Sequence, residues 1–177
     1  MRTIRRRRRE GRTDYSKRVR LLKGRLPRVV VRRSNRSVSM QIVSYERGGD
    51  KVVAMAHSNE LREFGWMPKR NTPTAYLTGE LLARKAAKLN VGECTLDTGL
   101  RKPTKASILF AAAKGAIDNG LKIRNSIEFD EKRIRGEHIK AYAAENKDAF
   151  ALYRKGNVDV AKIDELFGKV SGAIKQK

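Results

Sequence analysis

Between Met1 and Arg36 the chain carries sixteen Lys or Arg and two acids, Glu10 and Asp14, a net charge of +14. The whole protein has 41 Lys+Arg against 19 Asp+Glu, or +22, so this short segment holds most of the excess. The run Arg5-Arg6-Arg7-Arg8-Arg9 has no apolar member and therefore nothing to bury. Like charges so close repel one another in any compact state, and such blocks usually stay disordered until a counter-charge arrives. The surfaces with matching charge density are nucleic-acid backbones and, less commonly, anionic membranes. Arginine outnumbers lysine here, which favours forked hydrogen bonds to phosphate and stacking on bases. The segment points to RNA or DNA.

A length of 177 residues suits one domain with appendages. A hydrophobic share of 40% allows a core beside 34% charged residues, and aromatics at 6% leave few for base stacking. The single cysteine, Cys94, excludes an intrachain disulfide and a cysteine-rich metal site, and it is compatible with a reducing cytosol. No apolar stretch approaches the roughly 20 residues that span a bilayer. The N-terminus has no secretory apolar segment, and its arginines are contiguous rather than spread around an amphipathic helix. The expectation is a soluble, intracellular, very basic protein.

The local patterns predict three regions: a basic extended arm over 1–12, an α/β core over 13–124, and a charged, mostly helical extension over 125–177. Thr13 or Asp14 caps a helix over 14–24 that buries Val19 and Leu22, and Gly24 ends it. Val29-Val30-Val31 marks a strand over Arg28 to Arg33 covered on both faces. A second strand, Ser37 to Ile42, alternates polar and apolar residues. Arg47-Gly48-Gly49-Asp50 is a hairpin turn into a third strand, Lys51 to Ala56. Glu60 to Trp66 reads as a helical turn. Thr72 then caps a long helix with Pro73 at its first position. Ala75, Gly79, Leu82, Ala86 and Leu89 form its buried stripe, with Glu80 and Arg84 paired on the outside.

Glu93 to Asp97 is a short strand. Thr104 caps a second helix over 105–119, whose Ala111, Ala112, Ala113, Gly115 and Ala116 permit very close packing. Asn119-Gly120 stops it, and Lys122-Ile123 begins a last strand. Residues 125–136 read as irregular. Helices follow over 137–145 and 147–155, then a terminal helix from Val158 with an apolar seam of Val160, Ile163, Phe167, Val170 and Ile174. That seam either folds back on the domain or docks on another component. The fold class is α/β, with a mixed sheet that opens as an antiparallel meander and is backed by helices.

Residues that would carry catalysis are scarce. His57 and His138 have no ligand-type neighbours at metal spacing. No phosphate-cradling or dinucleotide-binding glycine motif is present. Asp97, at the end of a predicted strand, either serves a metal-dependent nuclease or orders the Thr98-Gly99 turn, and two-metal chemistry would require further convergent carboxylates. Cys94 reads as a small core residue. Three functions remain in view: a structural RNA-binding protein, a metal-dependent nuclease on a mixed-sheet α/β core, and a basic peripheral membrane protein. The last lacks the apolar anchor that lasting attachment requires.

An ordered set of motifs runs through residues 13–142. It includes Thr13-Asp14-Tyr15, Val31-Arg32-Arg33-Ser34-Asn35-Arg36 with Met40-Gln41-Ile42, and Asn71-Thr72-Pro73-Thr74-Ala75-Tyr76 with Thr78-Gly79 and Leu82-Ala83-Arg84. Leu96-Asp97-Thr98-Gly99-Leu100, Lys114-Gly115-Ala116, Asp118-Asn119-Gly120-Leu121 and Arg133-Ile134-Arg135-Gly136-Glu137-His138 follow. With these the chain resembles universal large-subunit ribosomal protein family eighteen, in its archaeal form. The Arg5–Arg9 run is denser than the family pattern, and residues 146–177 carry no family motif. The resemblance implies an α/β domain on 5S rRNA in the central protuberance of the large ribosomal subunit, in the cytoplasm. It also implies contacts with large-subunit rRNA and with the neighbouring 5S-binding ribosomal protein, number five. It implies no cofactor, no small-molecule substrate, no membrane and no turnover.

The residues supply a matching account. RNA helices hide their base edges, so a protein reads shape, phosphates and 2′-hydroxyls. A sheet presenting Arg28, Arg32, Arg33 and Arg36 fixes register. The helix carrying Lys17, Arg18, Arg20 and Lys23 adds phosphate contacts, and Tyr15 either stacks on a base or packs under the helix. The arm, with Arg5, Arg6, Arg7, Arg8, Arg9 and Arg12, threads between RNA segments. Arg47, the cluster Lys69-Arg70-Asn71, and Arg101, Lys102 and Lys105 are loop candidates near helix starts. Trp66 reads as packing. Neutralising about ten phosphates would give a log–log salt slope near −9 on the duplex-DNA rule.

Overall fold

The computed structural model describes residues 3–102, 104–124, 126–146, 149–156 and 158–176. The expected meander forms as β1 (Arg28–Arg33), β2 (Val38–Glu46) and β3 (Gly49–His57). Strands β2 and β3 run longer than expected because only Arg47-Gly48 turns the chain, and Glu46 already pairs with Gly49. Alternation sets the faces. Val29 and Val31 of β1 oppose Ile42 and Met40, which oppose Ala54 and Ala56 of β3, and all six are buried. A bulge between Ile42 and Val43 puts Val43 opposite Val52 and adds local twist. β4 (Thr95–Asp97) lies parallel to β1, so the mixed sheet has the order β3-β2-β1-β4. The expected strand at Lys122-Ile123 is a single parallel bridge from Ile123 to Cys94.

Before β1 come two helices. Arg6–Arg9 form one helical turn, α1, so the arm is not wholly extended. Glu10 supplies a local counter-charge, 2.7 Å from Arg6 and 3.2 Å from Arg12. Asp14 caps α2 (Tyr15–Lys23), accepting from the Lys17 N–H at 3.0 Å. Val19 is 53% exposed, contrary to expectation, and Leu21 and Leu22 are half-buried in its place.

A 3-10 segment (Ser58–Phe64) leads from β3 towards α3 (Thr72–Lys88), which packs on the sheet and on α4 (Ile108–Asp118). Asn71, not Thr72, caps α3 by accepting from the Thr74 N–H at 3.1 Å, so Pro73 is one residue further in but still in the first turn, where N–H groups have no intrahelical acceptor. The small residues act as expected. A Cβ on Gly79 would collide with the Ala112 carbonyl oxygen, and one on Gly115 with the Tyr76 carbonyl oxygen, so the two backbones are in direct contact. α4 begins at Ile108 after a turn in which Ala106 has φ +55, and neither Thr104 nor Ser107 caps it through its side chain. Gly120 ends it at φ +96.

Within 125–136 a short helix, α5 (Glu131–Arg135), replaces the irregular chain expected. Left-handed Gly136 joins it to α6 (Glu137–Glu145). α7 (Ala151–Lys155) is shorter than the helix expected over 147–155, and residues 147 and 148 lie outside the described ones. Helix α8 (Ile163–Gln176) folds back on the domain. Val160, Ile163, Phe167, Val170 and Ile174 are all buried, and the Phe167 ring packs against Trp66 and Tyr76 at centroid distances of 6.3 and 5.8 Å. Trp66 is core, its Nε1–H donating to Thr74 Oγ1 at 2.8 Å.

Two expectations about α3 are overturned. Leu89 is 53% exposed because the helix ends at Lys88. Glu80 is 1% exposed because α8 covers the face read as outer. Ser171 Oγ donates to its Oε1 at 2.9 Å, and Lys175 Nζ lies 3.8 Å away. Burial raises the Glu80 carboxyl above its usual range, although both contacts pull the other way. Among the described residues no helix is long and apolar enough to cross a membrane.

Candidate nucleic-acid interface

Helices α3 and α4 cover one face of the sheet. On the other, strand alternation places Arg28, Val30 and Arg32 of β1, with Gln41 and Val43 of β2 and Val52 and Met55 of β3. Val52 and Met55 are 50% and 46% exposed. Helix α2 and the arm lie over the edge of this face and enclose a cleft of about 760 Å³. Its lining includes Arg7, Arg12, Lys17, Arg18, Arg28, Arg32, Arg33 and Arg101 over apolar Leu21, Val30, Val43 and Val52. An adjoining hollow of about 450 Å³ is lined by Arg33, Arg101, Lys102 and Ser107. There Arg33 Nε and Ser107 Oγ are buried without a hydrogen-bond partner among the described residues.

Two carboxylates organise these cations. Asp50 lies 2.9 Å from Arg18 Nη2 and 2.8 Å from Arg28 Nη2. Asp97 continues the chain, with Oδ2 3.3 Å from Arg28 Nη1 and Oδ1 3.4 Å from Arg32 Nη2. Asp97 also orders the turn that follows it, since the Gly99 N–H donates to its Oδ1 at 2.7 Å. Lys17 Nζ closes the ring from α2, donating to Thr98 Oγ1 at 3.1 Å and to the Gly99 carbonyl oxygen at 2.7 Å.

The candidate cations therefore separate into groups. Arg28 departs from its expected role. It is 3% exposed and held between Asp50 and Asp97, so its charge is matched inside the protein. Lys17 and Arg18 tie α2 to the sheet and the turn. Arg7 donates to Thr13 Oγ1 at 2.9 Å, and Arg5 lies over the half-buried Tyr15 ring at 4.9 Å, an intramolecular use of both. Arg8, Arg9, Arg20, Lys23, Arg36, Arg101, Lys102 and Lys105 are exposed. Arg47 is exposed at the hairpin tip. Lys69 and Asn71 turn towards α7 instead of the cleft. Asn71 Nδ2 donates to Tyr153 OH at 2.8 Å, and Lys69 Nζ sits 6.0 Å from that ring, with exposed Arg70 between them in sequence. Burial raises the Tyr153 hydroxyl to about 12, which keeps it a neutral donor and acceptor.

Sequence reasoning missed the exposed Arg25, which is left-handed at φ 52 where α2 turns into β1. It also missed Asp50, whose position in a hairpin turn signals only a turn former. Asp97 does order its turn, and it bridges two arginines as well.

Comparison with known proteins agrees with this architecture. Residues 1–93 match the family model described as ribosomal large subunit proteins 60S L5 and 50S L18. The chain is 46% identical over 174 residues to large ribosomal subunit protein uL18 of Korarchaeum cryptofilum, covering 93% of this chain and 89% of that one. It is 43% identical over 181 residues to the uL18 protein of Thermofilum pendens, covering 96% and 92%. It is 45% identical over 168 residues to that of Haloarcula marismortui, covering 93% and 88%. The chain belongs to this family of large-subunit ribosomal proteins, in its archaeal form.

Proposed function

We propose that the chain is a structural component of the large ribosomal subunit that binds 5S rRNA and helps attach it to large-subunit rRNA in the central protuberance, beside the other 5S-binding protein, number five. The observation that carries this reading is the cleft on the open sheet face. There Asp50 holds Arg18 and buried Asp97 holds the half-exposed Arg32, and the arginine-rich arm lines the same cleft through Arg7 and Arg12. Rigid cations of this kind suit a shape-reading interface, because the ordering cost of the protein side is met on folding. Phosphate oxygens would complete Arg33 Nε and Ser107 Oγ in the adjoining hollow.

Charge is also segregated along the chain. Residues 125–177 carry eleven Lys or Arg against nine acids, nearly neutral beside the +14 of residues 1–36. The helical C-terminal part therefore suits a neighbouring protein better than phosphate. The nuclease alternative loses its best carboxylate, since Asp97 is engaged by Arg28, Arg32 and the Gly99 N–H.

The test is a titration of the full chain against 5S rRNA over a salt series, with excess transfer RNA as competitor. Binding that survives the competitor at physiological salt is the expected result. Binding that disappears with the competitor would contradict the proposal.

A further inference from the structure

Asp97 poses a problem for an RNA-binding face. A carboxylate lining a cleft of about 760 Å³ has the wrong sign for phosphate, and on charge alone it would weaken the complex. Pairing Arg28 is not its whole role, because Asp50 also lies 2.8 Å from that guanidinium. Asp97 does more than match a buried charge. Its backbone carbonyl accepts from Arg32 Nη1 at 2.8 Å, and its Oδ1 lies 3.4 Å from Arg32 Nη2. The Val31 carbonyl accepts a second bond from Nη1 at 2.9 Å. The Arg32 side chain, still 47% exposed, is thus held along one edge.

The following turn is shaped to the same guanidinium. Gly99 is left-handed at φ +66, and a Cβ there would lie 2.9 Å from Arg32 Cζ. Only a bare α-carbon lets the arginine lie flat on the turn. The carbonyl of that glycine in turn receives Lys17 from α2.

We propose that Asp97 is a positioning residue for RNA binding: it fixes Arg32 and the 98–101 turn against α2, so that the cations around the cleft meet RNA phosphates at one set spacing. This rests on the RNA-binding reading above and adds to it the device that sets the geometry. Asp97 itself touches no phosphate. Its contribution is to keep Arg32 and Lys17 from relaxing into solvent, where the same charges would bind any RNA equally well.

The role has a sign that distinguishes it from electrostatics. Asp97→Asn removes a negative charge, so charge alone predicts tighter binding and a steeper salt slope. Positioning predicts weaker binding to the specific RNA, by about tenfold for the loss of one charged anchor, with no loss of affinity for transfer RNA. Arg32→Lys keeps the charge and removes the fork, and it should weaken 5S binding to a similar degree.

The experiment is a double-mutant cycle on the full chain, titrated against 5S rRNA and separately against transfer RNA, with thermal melts to establish folding. The expected result is that Asp97→Asn, Arg32→Lys and the double variant all lose the same 5S affinity, because one device has been broken in each case. Unchanged or tighter 5S binding by Asp97→Asn, or additive losses in the double variant, would overturn the proposal. If Asp97→Asn melts below the assay temperature, Gly99→Ala replaces it, since its methyl group displaces Arg32 without altering charge, and the same outcomes decide. A wild-type chain that fails to prefer 5S rRNA over transfer RNA would instead remove the function on which this inference rests.

Discussion

Glu80 and Arg28 show how burial changes what a charged residue does. The raised Glu80 carboxyl means that the folded protein holds this proton more tightly than the unfolded chain does. Its stabilising share is full below the unfolded value and is lost as pH rises through the folded one. Glu80→Gln, neutral throughout, should therefore raise the melting temperature at neutral and mildly alkaline pH. The difference from wild type should close as pH falls to the ordinary glutamate range, and melts across a pH series measure it. A lower melting temperature for the variant at mildly alkaline pH would mean that Lys175 and Ser171 outweigh burial. Neither residue's setting was legible in the sequence. The face of α3 that carries Glu80 is closed by Ser171, 91 residues away. The sequence reading has Arg28 among the arginines that the sheet presents but could not show that Asp50 and Asp97 meet it.

The elements were more legible, because each follows from short-range pattern. The alternation of Val38, Met40 and Ile42 gave the buried face of β2, and the seam from Val160 to Ile174 gave the terminal helix. The run Val29-Val30-Val31 reads as a strand covered on both faces, whereas β1 has Val30 on the open one. Capping choices were harder to read, since Asn71 and Thr72 are both good caps and tertiary contact with Tyr153 favours Asn71. The glycines between α3 and α4 are the sharpest element-level test. Helix propensity alone favours alanine over glycine by about 1 kcal/mol. Here the added methyl of Gly79→Ala or Gly115→Ala meets a backbone carbonyl, so each variant should lose about 1–3 kcal/mol or more in urea unfolding. A stabilised Gly79→Ala would mean that the helices can separate without cost. The arm behaves in the opposite way. No residue of α1 is buried, so deleting residues 1–12 should leave the thermal melt nearly unchanged. It should weaken RNA binding and flatten the salt slope by roughly 0.9 for each phosphate that the arm neutralises. An unchanged slope would remove the arm from the 5S interface.

At the scale of the whole molecule, the fold divides labour between two sides. One side presents the arm, α2, the open strands and the 98–105 loop, where the excess positive charge collects. The other carries α5 to α8, nearly balanced in charge, closed over α3 by an apolar seam. Family membership was readable from ordered motifs, yet those motifs did not reveal that their Arg32 and Asp97 belong to one chain of ion pairs with Arg28, Asp50 and Arg18. Tyr15, Asp97 and Gly99 keep other residues in place as well as belonging to the pattern. The most direct test of this division is amide hydrogen exchange of the full chain, free and saturated with 5S rRNA. New protection should be confined to residues 5–36 and 98–105, with exchange in α6 and α8 unchanged. Protection concentrated in α6 and α8, with none in α2 or the 98–105 loop, would contradict the division.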